Sequence, residues 1–503
     1  MRWTLIFWVL AHVASAQNQT LYFNKVYDFH HGAEVPYTIL IDGDSSYVVL
    51  GTSLDTRTYE ITLLFQKFDN YGNLVLQKKY KKPGYQYYTG LSGCMVKTHD
   101  GGYAFGGSIE PVENFKSDGL LVKFNAVGDT EFMHTYGDTA FDAFYGCIET
   151  SDHGFVLVGQ TLNYGEGPNG SGYVVKTDSL GILEWQHVYG TTNEDIFFSV
   201  IQLTDSGYIF GGDRNLILYD FGAWLVRTDK NGNEIKEKLF DKGAYRCGGA
   251  AFSPALNNEI LMYGCLDTTI EYGDYPYPRY IGKLDTNFNI LWQQVFNDPI
   301  ENGIFYQRQY QDGSVIAVGF QGDEVTAAAH GLIAKITNDG RLVWQHEYYY
   351  RETRDGAPLP DYFTDVQQTF DKGYVTCGFA IDSMKFPTQD IWLVKLDSNG
   401  CLQPGCDTIA TAIIEVTDLR SELIIYPNPA SDHATVLYNV PPNTKAALLQ
   451  VVDLAGRLVK ELKLVPNKHE ATIDVLQWNG GIYICDLIVN EKLVAGKKLI
   501  IEK

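Results

Sequence analysis

The sequence predicts an all-β protein: a seven-bladed β-propeller of four-stranded antiparallel blades, followed by a small β-sandwich. Three observations predict it. One short element recurs seven times at a nearly constant period. A second element follows each copy at a similar offset. The composition is that of a turn-rich β protein, with 34 Tyr and 49 Gly among 503 residues and aromatics at 14%. Aromatic side chains suit pleated surfaces, and glycine suits tight turns.

The first element ends in glycine: YVVLG at Gly51, YAFGG at Gly107, FVLVG at Gly159, YIFGG at Gly212, ILMYG at Gly264, VIAVG at Gly319 and YVTCG at Gly378. The intervals are 56, 52, 53, 52, 55 and 59 residues. The second element carries one basic residue: Lys67, Lys123, Lys176, Arg227, Lys283, Lys335 or Lys395. Two anchors that keep one period define a repeat, and repeats of this length read as propeller blades. The third repeat shows the content of a blade: GCIET, FVLVG, YVVKTD and ILEWQHVY, four apolar runs. Asp-His-Gly joins the first two, and Asp-Ser-Leu-Gly joins the last two. An Asp-x-x-Gly turn suits a type I turn followed by a left-handed glycine, so the unit is an antiparallel meander.

The seventh repeat stops after its third run, at LDSNGCLQPGC, and lacks the fourth run, which reads W-x-x-x-Y in repeats 3 and 6. Near the N-terminus, LYFNKVYDF matches LEWQHVYGT of repeat 3. Leu21 to Tyr27 is therefore expected to complete the last blade, closing the ring and covering a sheet edge. An open solenoid is the alternative.

Arg2, the apolar run Trp3 to Val13 and Ala14-Ser15-Ala16 have the layout of a secretory signal cleaved between Ala16 and Gln17. The run is too short to span a bilayer and no later stretch approaches it, so no transmembrane segment is expected. The expected order is signal peptide 1–16, propeller 17–406, linker 407–422 and a C-terminal domain 423–503. The formal charge is −22, of which residues 17–422 carry −24 while each end carries +1. Such a body argues against nucleic acid and anionic membrane surfaces, and fits solubility, cationic partners or divalent cations. Cys401 and Cys406, in GCLQPGC, are expected to form a local disulfide in an oxidising compartment. No Cys-x-x-Cys or His-x-x-x-His pattern suggests zinc.

The tail carries several motifs in order: IYPNPASD, VVDLAGRLVKE, WNGGIYICDL and KKLIIEK. Together they resemble the C-terminal sorting domain of type IX secretion cargo. The matching positions are Tyr426, Pro427, Asn428, Pro429, Asp453, Gly456, Arg457, Gly481, Tyr483, Lys497 and Lys498. The resemblance implies an immunoglobulin-like sandwich read by an outer-membrane translocon. It also implies removal by a sorting protease and, for some cargo, attachment to surface lipopolysaccharide. GCLQPGC ahead of the linker is similar to many such cargoes. From the residues alone, the alternating runs ALLQVVDL and GIYICDLIV read as sandwich strands, with Cys485 reduced in the core. Pro-Asn-Pro is expected to end an extended linker and open the first strand.

Recurrence separates scaffold from candidate function. The seven basic residues are read as scaffold pairing with turn carboxylates, and Trp185, Trp292 and Trp344 as packing between blades. In a meander, the first-to-second and third-to-fourth turns share one face, and these are short. The second-to-third loops and blade connections share the other, and these are long and varied, which is where binding is usually built. Two segments stand out there. Blade 5 supplies Tyr272, Asp274, Tyr275, Tyr277 and Arg279; the connection into blade 7 supplies Tyr348, Tyr350, Arg351, Arg354 and Asp361. Tyr and Arg offer rigid area with polar ends, suited to glycan or protein surfaces; tyrosines that merely cap blade edges are the alternative. Glu34, Asp142, Asp195, Glu301 and Asp361 each precede aromatics at the start of a repeat, and could ring the channel mouth around a calcium ion or simply cap the loops.

Catalytic motifs are scarce: there is no G-x-S-x-G, H-E-x-x-H or P-loop. THDGGYAF and TSDHGFVL resemble a sialidase Asp-box only faintly and sit on the wrong hairpin. The leading expectation is an exported, non-enzymatic binding or adhesion module for glycan or protein. The alternatives are a hydrolase or lyase acting on extracellular polysaccharide through loop carboxylates, and a scaffold of a surface assembly.

Overall fold

The structure, a computed structural model, describes residues 21–503 apart from 30–31, 44, 114–115, 139, 163–169, 192–193, 218–219, 241–250, 266–278, 297–301, 323–328, 351–359, 382–388, 403–422, 439, 441–446, 454–456, 466–469 and 490–491. The chain divides into two compact units, Met1–Pro404 and Gly405–Lys503.

The first unit consists of seven antiparallel sheets, the blades of a β-propeller. Blade 3 is typical, with strands Asp142–Glu149, Phe155–Thr161, Ser171–Thr177 and Leu183–Tyr189 in sequence and spatial order. Blade 7 takes three strands from Asp361–Gln368, Tyr374–Ile381 and Gln389–Leu396. Its outer strand is N-terminal: Phe23–Tyr27 pairs antiparallel from Phe23↔Lys395 to Tyr27↔Ile391. Trp392 Nε1 donates to Asn24 Oδ1 at 2.5 Å across this seam.

The recurring letters have physical causes. Opposite each repeat glycine in blades 1, 3, 4, 6 and 7, the inner strand carries a one-residue bulge. The bulge throws a carbonyl across the glycine. A Cβ at Gly159 would lie 1.9 Å from Ala143 O, and one at Gly378 would lie 1.8 Å from Tyr362 O. Only glycine fits there. The basic residues reach back to the first turn of their own blade: Lys123 to Asp100 at 2.8 Å, Lys176 to Asp152 at 3.1 Å, Arg227 to Asp205 at 2.9 Å and Lys395 to Asp371 at 2.8 Å. The outer-strand aromatics pack on the next blade's last turn. Trp292 lies against Gly340 and Trp344 against Gly400, two glycines at φ +89 and +78. Trp292 Nε1 also donates to Asn338 O at 2.9 Å.

Blade 2 departs from the pattern. Its inner strand is split into Tyr85–Thr89 and Met95–Lys97, both paired with Tyr103–Pro111. Gly90 N still donates to Gly106 O at 2.9 Å and Cys94 O accepts from Gly106 N at 3.4 Å, so residues 91–93 bulge out of the sheet. Leu91 N donates to Tyr145 O of blade 3 at 3.0 Å, and Cys94 Sγ lies 3.6 Å from Thr38 Oγ1 of blade 1. A Cβ at Gly93 would sit 2.5 Å from the ring of Tyr306, on the inner strand of blade 6. Blades 2 and 6 face each other across a seven-membered ring, so this segment bridges the central channel. Beside it, Asp365 of blade 7 is fully buried and accepts from Ile39 N of blade 1 at 3.0 Å and from Arg308 of blade 6 at 3.2 Å.

The second unit is a pair of antiparallel sheets. One holds Leu423–Tyr426, His433–Tyr438 and Glu470–Asp474; the other holds Leu458–Leu464, Ala447–Asp453, Gly481–Val489 and Lys492–Ile501. They enclose one apolar core that includes Leu449, Val451, Ile473, Leu487 and the free, buried Cys485. Pro-Asn-Pro does not open the first strand. It follows Leu423–Tyr426, because the short strand before it already pairs with His433–Tyr438. The prolines fall in the connection that joins this strand to its partner, where no ladder N–H is needed.

Candidate functional site

Two regions carry candidate function: the C-terminal unit and the variable-loop face of the propeller.

In the C-terminal unit, Asn428 works as a backbone substitute. Its Nδ2 donates to Lys498 O at 2.7 Å, and its Oδ1 accepts from Ile500 N at 2.8 Å. Ala430 continues the stitch, pairing in parallel with Ile501. Tyr426 is exposed. Asp453 caps its hairpin through Arg457 N at 3.0 Å and holds the Arg457 guanidinium at 2.7 Å, leaving that side chain 81% exposed; Gly456 between them lies outside the described residues. Tyr483 donates to Asn479 O at 2.9 Å and packs on Trp478, and Gly481 takes φ +154 at the strand start. Lys497 and Lys498 are exposed on the last strand. The motif residues thus divide between those that build the unit and a cationic, exposed remainder.

On the propeller, Tyr272, Asp274, Tyr275, Tyr277, Arg351 and Arg354 lie outside the described residues. Arg279 opens the third strand of blade 5 and pairs with Cys265 and Phe296. Tyr348 belongs to the scaffold. Its hydroxyl donates to Gly400 O, as Tyr27 does to Gly72 O, Tyr80 to Gly128 O, Tyr136 to Gly181 O and Tyr189 to Gly232 O. Tyr350 is half-buried against the core between blades 6 and 7.

The repeat carboxylates act as loop caps where they are described. Asp142 accepts from Asp138 N at 3.0 Å, Asp195 from Thr191 N at 2.5 Å and Asp361 from Tyr350 N at 2.9 Å. Each is almost fully buried. Burial pushes all three carboxyls up, Asp361 to about 6. Glu301 lies outside the described residues, and strand register gives its place in the series to Asn302: Asn302↔Gln321 matches Asp142↔Thr161. Glu34 differs. It accepts from Ser53 Oγ at 3.0 Å and gathers with Asp28 and Asp390 so that three ligand oxygens lie within 4.8 Å. Oxygen donors of that kind suit a hard cation such as calcium. Cys401 is disulfide-bonded; Cys406 lies outside the described residues, as do the expected leader with its expected Ala16–Gln17 cleavage site and the expected linker.

Fold and tail together define a class: an all-β propeller followed by a secretion tail. Residues 424–502 match the family model described as the secretion system C-terminal sorting domain. The chain is therefore type IX secretion cargo, carried to the cell surface or beyond and engaged by that secretion system. No curated protein matches it. Among solved structures it is similar to a catalytically inactive virginiamycin B lyase from Staphylococcus aureus, at 12% identity and a TM-score of 0.45 over 75% of this chain and 99% of that one. It is also similar to the β-propeller domain of the trilobed protease from Pyrococcus furiosus, at 11% and 0.39 over 76% and 99%. A third likeness is to an α-L-arabinanase from Penicillium chrysogenum, at 9% and 0.40 over 75% and 98%. Among the described residues, no helix is long and apolar enough to cross a membrane.

Proposed function

We propose that the exported propeller is a non-enzymatic binding or adhesion module, and that its variable-loop face takes a glycan or protein ligand. One observation supports this over polymer cleavage. The four described carboxylates that recur at the blade starts, Glu34, Asp142, Asp195 and Asp361, hold backbone N–H groups of the preceding connections and are buried. A glycosidase needs two carboxyl groups facing a cleft at a defined separation. Carboxylates engaged as caps are not available for that task. The loops that remain are rich in Tyr and Arg, with EYGDYPYPRY in blade 5 and YYYRETRDGAPLPDYF ahead of blade 7. Flat rings with polar tips stack on sugar faces and anchor protein surfaces.

The test is a glycan and protein array probed with the exported chain, followed by Tyr275→Ala with Tyr277→Ala. The double variant should weaken the ligand found by roughly 2 kcal/mol or more if these are anchors. Its melting temperature should stay within a few degrees, because loop tips carry little of the core. Full affinity in the variant removes the site from this loop. Turnover of a polysaccharide by the wild-type chain removes the proposal.

A further inference from the structure

The first-to-second turns lie at the end of the blades opposite the variable loops, and a tie between neighbouring blades recurs there. The end of an inner strand supplies an acceptor to a backbone N–H in the preceding blade's turn region. Gln202 accepts from Ser151 N at 2.8 Å, and Gln309 from Leu256 N at 2.9 Å. Between blades 2 and 3 the acceptor is Glu149, whose Oε2 takes His99 N at 2.9 Å. An amide oxygen makes this bond as readily as a carboxylate. The tie therefore explains neither the charge at Glu149 nor the two histidines beside it.

Glu149 Oε1 lies 2.6 Å from His99 Nδ1 and 3.9 Å from His153 Nδ1. The two imidazoles, from turns of adjacent blades, stack with centroids 3.6 Å apart and planes 26° from parallel. His153 holds φ +64, at the turn position where blade 2 has Gly101 and blade 4 has Ser206. His99 stands where blade 3 has Ser151. None of the three residues repeats at its position in the neighbouring blades named.

We propose that His99, Glu149 and His153 form a site for a first-row divalent transition metal of the zinc type, clamping blade 2 to blade 3. One nitrogen from each ring and one carboxylate oxygen already lie within 4.8 Å of one another. Two imidazoles and a carboxylate are borderline donors that favour zinc and its neighbours over calcium or magnesium. A tetrahedral zinc ion with bonds of about 2.0–2.2 Å holds its ligand atoms roughly 3.3 Å apart. That separation lies between the two carboxylate–nitrogen distances observed, and the stacked rings must turn apart about their side-chain torsions so that each nitrogen's in-plane lone pair meets the ion. The His99 N–H fixes one carboxylate oxygen and leaves the other to bind, an outer contact that orients a ligand. The imidazoles are 49% and 52% exposed. A fourth position is thereby open to water or to a donor from another molecule. The site is independent of the loop-face reading.

The experiment uses the full chain, stripped by chelation and titrated calorimetrically with zinc chloride, with metal content measured after dialysis. Three variants carry the comparison. His99→Ser and His153→Gly install residues found at the equivalent turn positions of the adjacent blade. Glu149→Gln installs the residue of positions 202 and 309 and keeps the His99 N bond. Wild type should retain one zinc that each variant binds at least tenfold more weakly, and zinc should raise the melting temperature of wild type well above its effect on the variants. Absence of tight zinc uptake by wild type, or equal uptake by the variants, overturns the proposal. If a histidine variant fails to fold, Glu149→Gln, whose metal-free melting temperature should match wild type, decides alone.

Discussion

Asp361 shows how a single residue can read one way in the sequence and another in the fold. It is 4% exposed, and burial pushes its carboxyl from 3.8 up to about 6, against the opposing pull of bonds from Tyr350 and Ile381 N–H. The folded-state pKa lies above the unfolded one. The charged form therefore weakens the fold above about pH 6, and that penalty fades as the pH drops through 6 towards 4. Asp361→Asn removes the charge and keeps an acceptor for Tyr350 N. Because the variant cannot titrate there, its stability relative to wild type should shift in its favour by about 2–3 kcal/mol between pH 4 and pH 8, on top of a constant cost for the acceptor lost to Ile381 N. Denaturant unfolding at both pH values measures this; a gap that does not change with pH refutes it. The sequence placed Asp361 and Tyr348 near a ligand because they border a variable loop. The W-x-x-x-Y spacing also ends in Tyr348, whose hydroxyl ties its outer strand to the next blade as Tyr189 does in blade 3. His99, Glu149 and His153 gave no such signal. They sit on separate turns, and only the packing of blade 3 beside blade 2 joins them.

At the scale of the element, the strands were legible because alternation and turn chemistry agree along the whole repeat. The terminal glycine of each second strand was legible as a recurrence, but its cause was not: a bulge in the partner strand is invisible in one run of letters. The cause makes a sharp prediction. Gly159→Ala places a methyl 1.9 Å from Ala143 O, a backbone atom that cannot retreat without breaking the ladder. A loss of about 3 kcal/mol or more is expected. Gly43→Ala, where nothing lies within 4 Å, should stay within about 1 kcal/mol. Thermal melts of the two variants compare them directly, and equal melting temperatures would falsify the bulge argument. The split inner strand of blade 2 was not legible at all. GLSGCMVK reads as a turn and a short strand, and the destination of its first half depends on Tyr306, four blades further along the chain.

For the whole molecule, the number of blades and the place of closure follow from counting, since a repeat lacking one strand and a stray strand at the other end belong together. Removing residues 21–27 deletes the ladder to Gln389–Leu396, the Asn24–Trp392 bond and the Tyr27 tie to blade 1. Two sheet edges are then left bare. Aggregation or a large fall in melting temperature is expected, and an unchanged melting curve would show that closure contributes little. The tail sets destination separately. Deleting 423–503 should retain the chain in the periplasm, as cell fractionation would reveal; appearance of the shortened chain at the surface would remove the tail from sorting. What stayed illegible at this scale was the ligand, because the aromatic loops differ from blade to blade and no period constrains them.

The segment from Gly90 to Cys94 has a mechanical meaning. A hoop of seven plates joined only to their neighbours can ovalise, each joint giving slightly while every plate stays intact. A chord from one side to the other opposes that mode, as a spoke turns a hoop into a wheel. Gly93 against Tyr306 is such a chord, and the Arg308–Asp365 pair with its bond to Ile39 is the hub fitting beside it.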